Sequence, residues 1–184
     1  MASDEDFGLN LAKISEDSLK RIKDEWLTEY ACGEDDVSKF DYEQLFELIE
    51  STRAYGPLNS KYNMSIYFAL EDTEHKTHAL VELVQSKRNR EVWIKVIDIY
   101  ISPAIEFCLD IAEAVRLRTN VFACTILGIF KMVKAGVDIF KVYGRTENFL
   151  NFLRVVQGAM TANEIERKTG VSTSIEGRWL VFKA

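Results

Sequence analysis

The chain has 184 residues, 47% of them apolar and 28% charged, and carries a formal net charge of −6. That length suits a single domain, 1–184, with a sizeable core, and the acidic balance argues against a nucleic-acid backbone as partner. Cys32, Cys108 and Cys124 are too few and too widely spaced for a disulfide framework or a zinc site, so they read as buried free thiols in a reducing compartment. The first ten residues are acidic where a signal peptide is basic and then apolar, and the most apolar run, 121–130, is about half the length of a membrane span. The expectation is a soluble, cytoplasmic protein with no membrane partner.

Residues 7–14 alternate as a first strand. Ser15 then caps a helix that runs to Tyr30, with Ser18 three residues on in place of the Glu of a capping box; Leu19, Ile22, Trp26, Leu27 and Tyr30 form its apolar stripe. Gly33 and the acidic residues 34–36 end that helix. A second one starts near Asp41, carries Leu45, Phe46, Leu48 and Ile49, and stops before Gly56-Pro57. Three strands follow, 63–70, 78–85 and 91–101, joined by short polar connectors that favour adjacent antiparallel hairpins. Ser102-Pro103 stops the third.

Beyond it, 104–117 reads as a helix, Arg118-Thr119-Asn120 as an interruption, and 121–135 as another helix, apolar nearly all round and so buried on more than one face. The strand 137–143 is expected to run parallel to 91–101, because a helix separates them. A helix over 147–157, either ended by Gly158 or extended or restarted over 159–168, and a hairpin of 171–175 with 178–182 complete the chain.

This order, covering essentially the whole chain, is similar to the GNAT acetyltransferase fold. The resemblance implies an α/β (α+β) domain with a mixed, mostly antiparallel sheet of six to seven strands flanked by helices, here with an extra helix at 104–117. It also implies a gap between the fourth and fifth strands for the pantetheine arm of acetyl-CoA, and helix-start N–H groups for its pyrophosphate. The family's signature there is Arg or Gln, two residues, Gly, one residue, then Gly or Ala. The nearest match is Arg118-Thr119-Asn120-Val121-Phe122-Ala123, in which Val121 stands at the first Gly. A β-branched residue disfavours both positive φ and close approach of a phosphate. Starting instead at Arg116 puts Thr119 at that position and Val121 at the last. Arg116 and Arg118, with Lys131 and Lys134, read either as a basic rim to the site or as solvated cations. Tyr100 and Ile101 on the strand and Asn148 complete the candidate cofactor set, although Asn148 equally reads as a helix cap.

Acetyl transfer to an amine needs a base for the ammonium proton and an acid for the departing thiolate. The resemblance puts the base on the fourth strand. Asp98 is the acidic residue inside it, sharing a face with Ile94, Val96 and Tyr100 in an apolar setting suited to that role; the alternative is a carboxylate bonded to backbone or water. The family's tyrosine a turn before the closing Gly of the last helix has no counterpart among Leu153, Arg154 and Val155, which leaves Tyr143 and Tyr100, residues that strands also use for packing. His75 and His78, beside Glu74, lack the two further ligands a metal needs and read as a solvent-exposed pair; no metal is expected. Three functions follow. One is an N-acetyltransferase that uses acetyl-CoA on a small-molecule or peptide amine. Another is a non-catalytic GNAT-fold structural or assembly protein with protein partners, for example a bacteriophage virion component. The third is a module that docks a partner on the 104–117 helix.

Overall fold

Short polar connectors force the central strands to pair with their chain neighbours, and the rest of the sheet is built outward from them. The computed structural model describes residues 8–30, 36–55, 64–88, 90–133, 137–162, 167 and 170–183. In chain order the elements are β1 (Asn10–Lys13), α1 (Glu16–Tyr30), α2 (Asp36–Thr52), β2 (Ser65–Glu71), β3 (Thr77–Arg88), β4 (Glu91–Ile101), α3 (Pro103–Glu106), α4 (Ile111–Val133), β5 (Ile139–Tyr143), α5 (Glu147–Ala162), β6 (Ser172–Glu176) and β7 (Trp179–Lys183). Among the described residues they form one seven-stranded sheet in the order β1-β2-β3-β4-β5-β7-β6. Every neighbouring pair is antiparallel except β4 and β5, which run parallel as the intervening helix requires.

The sheet is covered on both faces. On one, Leu19, Ile22 and Trp26 of α1 and Leu45, Phe46 and Ile49 of α2 pack on Tyr67, Ala69 and Leu80. On the other, Phe122, Ile126 and Ile129 of α4 and Leu153 of α5 pack on Phe68, Val81, Leu83, Ile94, Val96, Phe140 and Val142. Leu48 is not part of the α2 stripe; it is exposed. Ser15 and Ser18 cap α1 reciprocally: Ser18 N–H donates to Ser15 Oγ (3.1 Å) and Ser15 N–H to Ser18 Oγ (2.7 Å), so Ser18 does the work of the missing Glu.

One helix boundary differs from the sequence expectation. The 104–117 helix does not exist as such: α3 is a single turn, and α4 begins at Ile111 and passes without a break through Arg118-Thr119-Asn120. Of the two readings of the last helix, the extended one holds: α5 continues past Gly158 to Ala162. Neither Cys108 nor Cys124 is in a disulfide, and Cys124 is buried; Cys32 lies outside the described residues. None of the helices among the described residues is long and apolar enough to cross a membrane.

The β2–β3 connector supplies a pH-sensitive contact. Asp72 Oδ1 accepts the N–H groups of Glu74 and Lys76, both at 2.9 Å, and Oδ2 lies 2.8 Å from His78 Nε2. His78 is therefore a partly buried partner of Asp72, while His75, at a φ of 64°, is the exposed member of the pair. Desolvation pushes the Asp72 carboxyl up, but the His78 bond and the two N–H donors outweigh it and hold the pKa below the ordinary aspartate value. A carboxyl with a depressed folded-state pKa contributes stability above its unfolded pKa and loses it as pH falls through the folded one. Asp72→Ala is thus expected to cost about 1–2 kcal/mol at neutral pH, with the difference from the native chain shrinking below about pH 4. Urea unfolding at pH 7 and pH 3 measures it, and an equal loss at both values excludes the carboxylate as its origin.

Candidate functional site

The register of β3 against β4 contains one irregularity. Leu83 faces Val96 and Glu82 faces Asp98, which leaves Ile97 as the extra residue of a bulge on β4. The extra residue shifts the alternation, so Ile94, Val96 and Ile99 share the face covered by α4, while Asp98 and Tyr100 turn to the face covered by α1 and α2. The shared face of Asp98 with Ile94 and Val96, expected from unbroken alternation, is therefore corrected. The parallel ladder to β5 runs from Trp93↔Ile139 to Val96↔Val142 and stops at the bulge, whereas β4 continues to Ile101 paired with β3. Where the two strands part, a cleft of about 650 Å³ opens.

Its walls are mostly apolar. Ile99 and Ile101 come from β4, Val115, Val121 and Phe122 from α4, and Phe149 and Phe152 from α5. Phe122 meets Phe152 edge-on at 4.9 Å and Phe149 at 5.8 Å, and Phe149 stacks on Phe152 at 6.1 Å. These spacings are those of attractive aromatic pairs, which fix the wall's shape. Polar groups enter from Arg118 and Thr119 on α4, from Asp98, and from Arg145 and Thr146 after β5. Asp98 Oδ2 accepts Arg145 Nη1–H at 2.5 Å and Oδ1 accepts the Ile99 N–H at 2.9 Å, so the ion pair bridges the gap between the parted strands. The hydrogen bond and charge of Asp98, with Tyr100 and Glu82 behind it, hold the Arg145 pKa above its ordinary value.

The loop that carries Arg145 is clamped. Arg178 Nε–H donates to Gly144 O at 2.8 Å and Nη2–H to Arg145 O at 3.0 Å, and Gly144 N–H returns a bond to Arg178 O at 2.8 Å. Gly144 is packed so closely that a Cβ there would meet Leu150 Cβ at 2.9 Å and its Cα at 3.0 Å. Gly144→Ala is expected to cost about 1–3 kcal/mol by overpacking and to displace the start of α5. Thermal unfolding tests this; an unchanged midpoint means that the loop yields freely.

The order of elements, the mostly antiparallel sheet and the parallel pairing of β4 with β5 are what the resemblance implied; the bulge at which the two strands part was not foreseen. The chain has a GNAT-like fold. No family model matches it, and no curated protein matches it in sequence. Solved structures similar to it include a GNAT family acetyltransferase from Brucella melitensis in complex with acetyl-CoA, at 9% identity, covering 95% of this chain and 87% of that one with a TM-score of 0.42. A structure described as histone acetyltransferase HPA2 and related acetyltransferase, from Corynebacterium glutamicum, matches at 10% identity, 95% and 94% coverage and a TM-score of 0.43. A spermidine N-acetyltransferase chimera involving Vibrio cholerae matches at 18% identity, 95% and 92% coverage and a TM-score of 0.34. At such identities and scores the likeness says nothing about activity.

Of the residues singled out in the sequence, the GNAT-like sheet brings Asp98, Ile101, Arg118, Thr119 and Val121 to the cleft. The others point elsewhere. Tyr100 donates to Glu82 Oε2 at 3.2 Å, and Glu82 Oε1 accepts from Ser65 Oγ. Burial first, then the charges of Glu82 and Asp98, push the Tyr100 pKa up to about 12, so it stays protonated at neutral pH. Tyr143 packs on Trp179, with ring centroids 4.7 Å apart. Arg116 is exposed and bound to Glu113, Asn120 accepts a contact from Cys124 Sγ, and Ala123 and Asn148 do not line the cleft. The cap of α5 is Thr146, whose Oγ1 accepts the Phe149 N–H at 3.2 Å, and not Asn148. The Lys131 side chain and Lys134 lie outside the described residues. Among the described residues no group of three or more metal-ligating side chains occurs.

The placement of 118–123 overturns its expected role. These residues lie in the interior of α4, where backbone N–H groups are spent on the helix's own ladder, so they offer no helix start to a phosphate. Val121, 1% exposed, packs its side chain with Leu70, Ala79, Ile105 and Cys124. The sequence reading also missed Arg145, Arg178 and the three phenylalanines. The signal for Arg145 was its position just past the carboxyl end of a parallel strand, where open sheets gather ligand-binding residues.

Proposed function

We propose that the protein is an N-acyltransferase that moves an acetyl group from a pantetheine thioester, of which acetyl-CoA is the common form, to a small-molecule or peptide amine. The observation that carries this reading is the parting of β4 from β5 after Val96↔Val142 beside a 650 Å³ cleft. An extended arm with amide groups can lie along β4 there, with Thr119 and Thr146 as polar partners and aromatic walls that exclude water. When bound, the thioester would supply an acyl carbon that forms a bond to the amine nitrogen as its bond to sulfur breaks, the nitrogen's remaining surplus proton passing to the departing thiolate, which leaves as the thiol. Asp98, at the opening, takes the proton of the incoming ammonium, and Arg145 positions its carboxylate. Tyr100 keeps its proton and braces Glu82 behind them.

Calorimetry with acetyl-CoA, followed by thiol release in the presence of a panel of amines, tests the reading. Sub-millimolar binding with amine-dependent thiol release is the expected result; no heat and no thermal shift at saturating acetyl-CoA and acetyl-pantetheine sink it. A second reading, a non-catalytic assembly protein, is favoured by one observation. Phe107, Leu109, Ile111 and Val115 lie exposed together around the start of α4. A mass that rises with concentration on sizing, without donor binding, is its signature.

A further inference from the structure

The resemblance sets a donor's diphosphate at the helix start that follows the fourth strand, here the start of α4, and three features there are unsuited to it. The first is a cap: Asp110 Oδ1 accepts the N–H groups of Ala112 at 2.9 Å and Glu113 at 3.1 Å. The chain has placed a carboxylate of its own on the donors, and beside the positive end of the helix dipole, that a phosphate would use. The second is the surroundings. Leu109 is 99% exposed, Ile111 80% and Val115 59%, so an anion brought to this corner trades water for hydrocarbon. The third is the state of the nearby cations. Arg116 binds both oxygens of Glu113 at 2.6 and 2.7 Å, and Arg118 donates to Glu106 O at 3.2 Å with Glu106 Oε2 at 3.5 Å. Each would have to leave a partner to meet a phosphate.

We infer that the cleft recognises its donor by the acyl-pantetheine arm alone, with Asp110 standing in the place of a donor diphosphate, so that the nucleotide end of a coenzyme contributes nothing to binding. This rests on the acyltransferase reading above and narrows it. The ligand is an acyl-pantetheine thioester, and such an arm reaches a cleft in two ways: as part of a free coenzyme, or as the phosphopantetheine of a carrier protein.

The experiment compares acetyl-CoA with acetyl-pantetheine by calorimetry, on the native chain and on Asp110→Gly, a change that empties the cap at little cost to the helix. On the native chain the two dissociation constants are expected to agree within about threefold. In Asp110→Gly, acetyl-CoA is expected to gain about tenfold while acetyl-pantetheine stays where it was. A native preference for acetyl-CoA of more than about thirtyfold overturns the inference and leaves the acyltransferase reading standing. An unchanged ratio in Asp110→Gly overturns it as well, by clearing Asp110 of the exclusion. Binding of neither thioester sinks both. An acetylated phosphopantetheinyl carrier protein forms a third arm: binding tighter than acetyl-pantetheine supports the inference with a protein-borne source, and equal binding supports it with a free one.

Discussion

Trp26→Ala should lower the unfolding free energy by about 3–5 kcal/mol, the range for emptying a fully buried aromatic site. Trp26 has no exposed surface and sits at the centre of the α1–α2 layer, edge-on to Tyr42 at 5.5 Å and to Phe46 at 5.8 Å. Its Nε1–H donates to Thr77 O at 3.1 Å, which ties α1 to the first residue of β3. Truncation therefore removes packing and leaves a buried carbonyl without a donor, two costs that add. Trp26→Phe separates them: it keeps most of the volume and loses the N–H, for an expected cost of about 1–3 kcal/mol. Urea denaturation of both variants measures the split. A loss below about 1 kcal/mol for Trp26→Ala would mean that the layer collapses into the space, contrary to the close packing described.

The second large effect concerns turnover. Asp98→Asn keeps an oxygen for the Ile99 N–H and nearly the same volume, but it cannot take up a proton as a carboxylate does, and it withdraws the counter-charge of Arg145. Turnover of an amine substrate is expected to fall about a hundredfold or more, with donor affinity unchanged. A profile of turnover against pH, measured alongside, reads the loss of the titrating group directly. Full activity in Asp98→Asn removes the residue from the mechanism, and a matching loss of donor affinity reassigns it to binding.

Much of the fold was legible because its signals are local. The strand over 91–101 and the parallel strand after α4 announce themselves by β-branched and aromatic residues, and the polar connectors leave hairpins as the economical link. The errors have physical causes. Arg118-Thr119-Asn120 reads as a break because Thr and Asn are weak helix formers, yet the penalty is below about 1 kcal/mol per residue and packing of α4 on the sheet overrides it. The real break, at 107–110, was hidden because Ile105, Leu109, Ala112 and Val115 recur at helical spacing, although Leu109 and Val115 face solvent. That one misplacement moved the expected phosphate seat into the middle of a helix. For Asp98 the signal was misleading in a different way: alternation predicts a face only while the pleat is regular, and nothing in the residues around Ile97 marks a bulge.

The bulge makes chain length itself a determinant of the opening. Deleting Ile97 would let β4 resume a regular pleat with Asp98 still opposite Glu82 and Ile99 still opposite Val81, so every residue past the bulge would keep its side of the sheet. What the extra residue supplies is the bend: without it β4 would stay alongside β5 beyond Val96 and the aperture would narrow, though no lining side chain had been replaced. Whether this protein has a doorway in its sheet comes down to one inserted isoleucine.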